Sequence, residues 1–127
     1  DEKNKNLTIV FIVSDFITPS VKEAIRLLMI KYKIFIQVFP IQSLMYNVTK
    51  HELVPEHIRI PKKEYKIFLK DFLDSLQIES LDKLPKIYDS DPQSMFIGLR
   101  AGDICKIIRP SISAGKHTVY RYCISEK

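Results

Sequence analysis

The sequence predicts an α+β protein built from two modules. A partial α/β module with a parallel strand–helix–strand order is expected over residues 1–47, and a small mixed α/β domain with a C-terminal β-hairpin over residues 48–127. Three observations favour this class: two apolar runs of strand length enclose a helical periodicity, a second apolar helical stripe follows, and two strand-like segments close the chain. The expected link between the modules is Pro40–Asn47.

The first module begins with a strand over residues 7–14, an apolar and β-branched run typical of a strand buried on both faces. Thr18-Pro19-Ser20 marks a helix start, and Glu23 would complete a capping box with the serine. Apolar residues then recur at helical spacing from Val21 to Tyr32, and a second buried strand, Ile34–Phe39, follows. Because two parallel strands and one helix cannot shield both faces of a sheet, we expect more of this module upstream or in a partner.

The second module is expected to open with an edge strand over Val48–Val54 that stops at the next proline. Residues 61–76 are predicted to form the clearest helix, because their apolar residues make one stripe and their lysines lie largely outside it. Turns are predicted at Leu84-Pro85 and Asp91-Pro92, since a residue before proline avoids the helical region. Gln93–Leu99 has the pattern of a single helical turn.

A β-hairpin is predicted at the end of the chain, with Asp103–Arg109 and Thr118–Ile124 as its strands. The segment between them is a long loop that contains Gly115. If Arg109 pairs with Val119, the two cysteines of the chain lie opposite each other, as small core residues in reduced form.

Composition excludes several classes of protein. The 127 residues carry a formal net charge of +5, which permits a nucleic-acid partner without requiring one. The 2 cysteines, Cys105 and Cys123, are too few for a disulfide framework, and no apolar stretch approaches the roughly 18 residues of a membrane span. No Cys-x-x-Cys, helical histidine pair, Gly-x-Ser-x-Gly or phosphate-binding glycine motif occurs. No metal, cofactor or catalytic residue is therefore expected.

The start of the first helix is the best candidate for contact with a ligand. Its unpaired N–H groups and positive dipole suit a phosphate, although the same sequence also describes a helix that is merely well capped. The candidate DNA-contacting residues are Thr18, Pro19, Ser20 and Lys22. Such contacts would position DNA without reading its sequence.

A series of short motifs stands in a fixed order over the last part of the chain. They are His51-Glu52-Leu53-Val54-Pro55-Glu56-His57, Leu84-Pro85-Lys86-Ile87, Asp91-Pro92, Gly98-Leu99-Arg100-Ala101-Gly102-Asp103, Lys106-Ile107-Ile108-Arg109 and Ser113-Ala114-Gly115 before Tyr120-Arg121. In this order and spacing the chain resembles the C-terminal assembly domain of the fifth-largest RNA polymerase subunit, which eukaryotic polymerases share and of which the archaeal polymerase carries a shorter relative. The resemblance extends more loosely over residues 7–40, which would be part of the jaw domain of the eukaryotic subunit.

This resemblance implies a non-catalytic subunit of DNA-dependent RNA polymerase, located in the nucleus, or in the cytoplasm or virion if its source is a large DNA virus. The assembly domain would pack on the largest subunit, and the jaw would lie beside downstream double-stranded DNA, with a Thr-Pro-Ser helix start facing the duplex. Family members have a larger jaw, so the chain is expected to begin inside it. The residues expected at the subunit interface are His51, Glu52, Leu53, Val54, Pro55, His57, Asp91, Pro92, Arg100, Gly102, Asp103, Lys106, Arg109, Tyr120 and Arg121.

Two alternatives stay open: a restriction-endonuclease-like nuclease, the fold to which the family's jaw has been likened, and a free-standing basic DNA-binding adaptor. A nuclease needs hard oxygen ligands that converge on a metal ion, whereas the carboxylate-x-Lys patterns Asp1-Glu2-Lys3 and Glu64-Tyr65-Lys66 fall in a polar tail and a helix. It predicts metal-dependent cleavage that Asp15→Ala or Glu64→Ala abolishes. The adaptor predicts tight, salt-sensitive DNA binding by the isolated chain.

Overall fold

The computed structural model describes residues 7–47, 50, 53–113 and 115–126. The chain forms two compact units, Asp1–Asn47 and Val48–Lys127. Each unit combines helices with a β-sheet, so the predicted α+β class is confirmed. No helix within the described ranges is long and apolar enough to cross a membrane.

The first unit is a parallel strand–helix–strand arrangement, as predicted. Its elements are β1 (Thr8–Val13), α1 (Pro19–Tyr32) and β2 (Phe35–Pro40), and β1 pairs with β2 from Thr8↔Phe35 to Val13↔Pro40. The segment expected to link the modules, Pro40–Asn47, contains a short helix, α2 (Ile41–Leu44). The Gln42 side chain in this helix donates to the Ser14 carbonyl oxygen at 2.8 Å, which ties the end of β2 to the end of β1.

The start of α1 differs in detail from the predicted capping box. Thr18 occupies the N-cap position with extended backbone, and Pro19 takes the first helical position, where its missing N–H costs no hydrogen bond. Ser20 therefore lies inside the helix, with its hydroxyl group 3.2 Å from the Thr18 hydroxyl group. Glu23 pairs with Arg26 at 3.3 Å. The capping-box prediction was wrong, because the proline fixed the first helical residue and left the threonine as the N-cap.

The prediction that both strands of the first unit are buried on both faces was wrong. Val10 and Ile12 on β1 are exposed by 52% and 62%, and the buried hydrophobic residues among those described in this unit are Ile36 and Phe39 on β2. The physical reason is that α1 covers one face of a two-stranded sheet only. Even on the covered side an open apolar groove of ≈ 490 Å³ remains between the helix and the sheet.

The second unit contains a four-stranded sheet in the order β3-β5-β6-β4. Its strands are β3 (Glu56–Ile60), β4 (Lys86–Tyr88), β5 (Ile104–Ser111) and β6 (Gly115–Ile124). Neighbours pair antiparallel, except β4, which runs parallel to β6.

The edge strand at the start of the second unit lies later in the sequence than predicted. Leu53 and Val54 form a turn and a bend, and β3 begins after Pro55, which can precede a strand because it lacks only the donor N–H. The rest of the predicted strand lies outside the described residues, except Lys50, which is not in a strand. β4 directly follows Leu84-Pro85, where the sequence predicted a turn.

The C-terminal hairpin is present, but its register differs from the predicted one by two residues. Arg109 pairs with His117 instead of Val119, and Cys105 therefore lies opposite Arg121 instead of Cys123. The strands extend as far as the pair Ser111↔Gly115, so the loop is much shorter than expected. Because side chains alternate with a period of two, this even shift leaves every side chain on the expected face of the sheet.

The helix predicted over residues 61–76 is helical but interrupted. It consists of α3 (Lys62–Tyr65), a 3₁₀ turn (Lys66–Phe68) and α4 (Leu69–Ser75), and Pro61 is the N-cap instead of a residue of the first turn. A last helix, α5 (Pro92–Phe96), occupies the beginning of the predicted turn at Gln93–Leu99. After it, Gly98 has a positive φ of 66°.

The sheet of the second unit is covered on both faces. On one face, Tyr65, Phe72 and Leu84 pack with Ile104, and further apolar side chains of the helical segment pack against this cluster. On the other face, Leu99 and Ile87 pack with Ile107 and both cysteines, so the connection that contains α5 covers this side. The first surface is called the helix-covered face below.

Candidate subunit interface

Strand pairing places charged side chains in rows on the face of the sheet that also contains Ile107 and both cysteines. Residues that pair across adjacent strands project to the same side of a sheet. Arg59 on β3 pairs with Cys105 on β5, which in turn pairs with Arg121 on β6. This row and all residues at even spacing from it on the same strands define what we call the arginine face.

Two further rows of the arginine face lead toward the hairpin loop. The next row consists of His57, Ile107 and Val119, and the row beyond it contains the pair Arg109↔His117. Arg109 and His117 are exposed, whereas His57 and Val119 are half-buried. Ile107 is only 2% exposed and packs in the core with Leu99. The accessible part of this face therefore consists of half-buried side chains such as Val119, with charged side chains at both ends.

Asp103 is the central acidic group of this region. Its side chain is only 4% exposed, and its Oδ2 accepts from Arg59 Nε at 2.7 Å and from the Arg100 backbone N–H at 3.1 Å. The carboxylate thereby joins the edge strand β3 to the turn that precedes β5. A buried carboxylate requires such partners, because an unpaired buried charge is strongly destabilising.

Arg100 lies in the same charged cluster. Burial lowers the pKa of Arg100, the nearby Arg59 guanidinium lowers this pKa further, and Asp103 acts in the opposite direction. The guanidinium stays protonated near neutral pH because its ordinary pKa is far above 7. The cluster therefore contains two positive charges and one negative charge.

The turn before β5 depends on Gly102. This residue has a φ of 91°, and a Cβ atom in its place would lie 2.5 Å from Lys62 Cε and Nζ. Its carbonyl oxygen accepts from the Tyr65 hydroxyl group at 2.5 Å, and its N–H donates to the Cys123 carbonyl oxygen at 2.9 Å. These bonds hold the turn, and with it Asp103, between α3 and β6.

The predicted interface residues do not all lie on one surface. His57, Arg109 and Arg121 belong to the arginine face, and Asp103, just before β5, is tied to this face by its bond to Arg59. Lys106 pairs with Ile58 and Tyr120, so these residues project to the helix-covered face, where Tyr120 stacks edge-on against Phe72 with ring centroids 5.1 Å apart.

The other predicted interface residues lie on connections between the strands. Asp91 is the N-cap of α5 and accepts from the Gln93 N–H at 2.9 Å, with Pro92 in the first helical position. Pro55 accepts at its carbonyl oxygen from His57 Nδ1 at 2.7 Å, in the tautomer that carries the Nδ1 proton. Leu53 is exposed, and Val54 is half-buried in the bend that follows. His51 and Glu52 lie outside the described residues.

Arg59 is the residue that sequence reasoning missed. It was overlooked because no strand was predicted over Glu56–Ile60. The signal was present, since polar and apolar residues alternate directly after Pro55 in the order Glu, His, Ile, Arg, Ile. A strand placed there would have brought an arginine to an edge of the sheet.

The predicted DNA-contacting residues cluster on the first turn of α1. Thr18, Pro19, Ser20 and Lys22 are all exposed. The Lys22 N–H donates to the Thr18 carbonyl oxygen at 3.1 Å, which closes the first helical turn. The structure thus presents two hydroxyl groups and one ammonium group at a helix N-terminus.

The groups considered for catalysis are buried thiols and exposed side chains of a helical segment. Burial raises the pKa of Cys105 to about 11 and the pKa of Cys123 to about 12, so neither thiol is an activated nucleophile. Glu64 and Lys66 are exposed on the α3 helix and the following turn. Within the ranges that the structure describes, no group of three or more His, Cys, Asp or Glu residues could hold a metal ion.

The candidate site thus consists of a buried carboxylate that braces an edge strand and of arginines that line the face beside it. The family model described as RNA polymerase Rpb5, C-terminal domain, matches residues 46–123, and the chain belongs to this family. The resemblance inferred from the short motifs is therefore confirmed.

Individual relatives extend the similarity into the first unit. The chain is 35% identical over 115 residues to the Dictyostelium discoideum protein named DNA-directed RNA polymerases I, II, and III subunit rpabc1, covering 91% of this chain and 56% of that protein. It is 36% identical over 115 residues to the RPABC1 subunits of Caenorhabditis briggsae and Caenorhabditis elegans, covering 91% of this chain and 51% of each. The chain thus spans about half the length of these relatives.

Proposed function

We propose that this chain is part of a non-catalytic subunit of DNA-directed RNA polymerase, in which residues 48–127 act as the assembly domain and residues 1–47 as part of the jaw. The observation that carries the proposal is the family match over residues 46–123, to which the relatives' names add the same role. The relatives are subunits of polymerases I, II and III by name, which supports a nuclear location for a eukaryotic source.

The assembly domain would dock on the largest polymerase subunit through the arginine face and the connections beside it. Support comes from the fixed geometry of the region: the Asp103–Arg59 ion pair at 2.7 Å holds β3 against the turn at Gly102. A surface that is ordered before binding loses less conformational entropy on association. Arg100 and Arg109 offer planar guanidinium groups, which suit bidentate pairing with carboxylates.

The jaw part would contact downstream duplex DNA through the first turn of α1. The exposed hydroxyl groups of Thr18 and Ser20 and the ammonium group of Lys22 stand at the positive end of a 14-residue helix. These groups suit a phosphate, so the contact would position the duplex and would be insensitive to base sequence.

Charge reversal separates the two roles. In cells of the natural source, a tagged chain should co-purify with the largest polymerase subunit. Arg100→Glu combined with Arg109→Glu should reduce the recovery about thirtyfold or more, since two lost charged contacts of roughly 1–3 kcal/mol each sum to at least about 2 kcal/mol. Lys22→Glu should leave the recovery unchanged and should lower the salt concentration at which the purified polymerase releases downstream DNA.

The matched control is Lys70→Glu, an exposed site on α4 in the same unit as the two arginines. It should change neither recovery nor DNA release. Recovery of the wild-type chain without polymerase subunits would refute the proposal. Loss of polymerase from the Lys22→Glu variant would show that the start of α1 serves assembly instead of DNA contact.

A further inference from the structure

We propose that the arginine face receives an extended acidic segment of the partner subunit, with two carboxylates four residues apart and an apolar residue midway between them. This inference rests on the proposed function and adds the chemistry of the partner. It is drawn from the charges, the register and the hydrogen bonds of β5 and β6.

The positive groups of this face have spare hydrogen-bonding capacity. Arg109 is exposed and makes no ion pair within the part of the chain that the structure describes. Among the described residues, Arg121 donates one long hydrogen bond, from Nη1 to the Lys86 carbonyl oxygen at 3.5 Å, and its buried Nε has no partner there. Hydrogen bonds to a charged donor are strong, so a carboxylate that accepts from Arg109 or from the Nη groups of Arg121 gains binding free energy.

The acidic groups nearest to this face are already engaged. Asp103 accepts from Arg59 and from the Arg100 N–H. Asp91 caps α5 by accepting from the Gln93 N–H. Asp89 accepts from the Ser125 hydroxyl group at 2.9 Å and from the Glu126 N–H at 3.2 Å. These three carboxylates are therefore committed to contacts other than Arg109 and Arg121.

The spacing of the rows sets the pattern that the partner must have. Along β6 the residues on this face are His117, Val119 and Arg121, with the pair Arg109↔His117 at one end and Arg121 at the other. Four residues of extended chain span about 13 Å. A second extended segment has the same repeat, so its carboxylates at positions i and i+4 can reach both ends while the residue at i+2 lies over Val119.

Zero-length cross-linking tests the inference in the assembled polymerase. A carbodiimide joins a primary amine to a carboxylate with loss of water and does not couple a guanidinium group. The polymerase that contains the Arg109→Lys chain should therefore gain one new amide bond between the introduced amine and an Asp or Glu of the partner subunit, relative to the wild-type complex. Mass spectrometry of the proteolysed complex identifies the linked residue and the residues four positions away.

Salt-dependent release provides the second measurement. Arg109→Gln should lower the salt concentration that dissociates the chain from the polymerase, whereas Lys70→Gln should not. The inference is overturned if the new cross-link is absent, if it reaches only carboxylates of this chain, or if the two glutamine variants dissociate at the same salt concentration. Because both measurements start from a complex that contains the chain, these outcomes leave the proposed polymerase role standing. Failure of the wild-type chain to co-purify would instead refute that role.

Discussion

At the scale of single residues, a few polar contacts define the interface candidate. The Asp103 carboxylate is almost fully buried, yet it links the edge strand to the turn at Arg100. A carboxylate oxygen that loses its donor stays buried without a partner, and this destabilises the fold. The buried charge therefore tolerates little change in its surroundings. The same reasoning explains the cysteines, whose burial in an apolar cluster holds them in the neutral form.

Asp103→Asn should destabilise the protein by about 1 to 3 kcal/mol, because the half-buried Arg59 guanidinium loses its only ion pair in the described part of the chain. Urea unfolding would measure the change. Arg59→Gln and the double variant complete a thermodynamic cycle, in which a coupling energy near zero would contradict the pairing. Glu79→Gln, at an exposed site, is the control and should change stability by less than about 0.5 kcal/mol.

The cysteines predict a specific pH dependence. Burial raises the pKa of Cys105 to about 11 and the pKa of Cys123 to about 12, whereas an unfolded chain ionises its thiols near 9.0. Between about pH 9 and 11 the unfolded state therefore loses protons that the folded state keeps, and the free energy of unfolding should decrease as pH rises.

Two measurements check this prediction. Iodoacetamide at about pH 8 should modify the thiols in urea and spare them in the folded protein, because the folded thiols are buried and neutral. The decrease in stability from about pH 8 to about pH 10 should be smaller in a Cys105→Ala/Cys123→Ala variant than in the wild-type protein, even if that variant is less stable throughout. Equal decreases would show that other groups cause the pH dependence.

At the scale of elements, turn and register decide which side chains meet. The two-residue difference in the hairpin register moved Arg121 opposite Cys105 without changing its face. β3 brought Arg59 to the same row. The turn between Gly98 and Asp103 connects α5 to β5 beside this row of residues. Gly102 is the most constrained residue of the turn.

Gly102→Ala should destabilise the protein by about 1 to 3 kcal/mol, because a φ of 91° is strained for any residue with a Cβ atom. Adding Lys62→Ala removes the side chain that the new methyl group would meet, and should recover less than half of the loss. Full recovery would mean that contact, and not backbone strain, causes the effect. Gly115→Ala, with φ of 71° and nothing within 4 Å of its Cβ position, is the matched control and should cost less. Thermal unfolding measures all three.

At the scale of the whole molecule, the two units differ in how well they bury their apolar residues. The second unit has two clusters of buried residues, one on each face of its sheet. The first unit has exposed apolar side chains on strand and helix, including Ile12 and Ile30. Such surface is typical of a unit that depends on further protein for cover.

A fragment of residues 48–127 should therefore fold alone, whereas a fragment of residues 1–47 should not. The first should keep its strand signal in circular dichroism and unfold cooperatively on heating. The second should lack a cooperative transition and bind the dye ANS, because its apolar surface stays accessible. A cooperative transition in the shorter fragment, or none in the longer one, would contradict this assignment of stability.

Much of the fold could be predicted from local patterns. The strand–helix–strand order of the first unit, the hairpin and the apolar stripe of the helical segment that begins at Lys62 followed from periodicity and from prolines. β4, with only three residues, gave no periodic signal, and its parallel pairing with β6 is a long-range contact. The break at Lys66–Phe68 in the predicted helix also had no signal in the stripe of apolar residues.

The candidate interface was predicted less completely than the fold. Sequence motifs identified His57, Asp103 and Arg109 by resemblance, but they also included Lys106 and Tyr120, which project to the other face. They omitted Arg59, which sits on the strand that was not predicted. Assigning a residue to a face requires the register, and the register depends on where the hairpin turns.

Family membership, the types of the elements and the apolar stripe of the helical segment could be inferred from the sequence, because motifs and periodicity are local properties of a chain. The arginine face, the Asp103–Arg59 ion pair and the strain at Gly102 emerged only once the chain was folded. The ion pair, for example, joins residues 44 positions apart. Such contacts follow from strand pairing and packing, which no short window of sequence specifies.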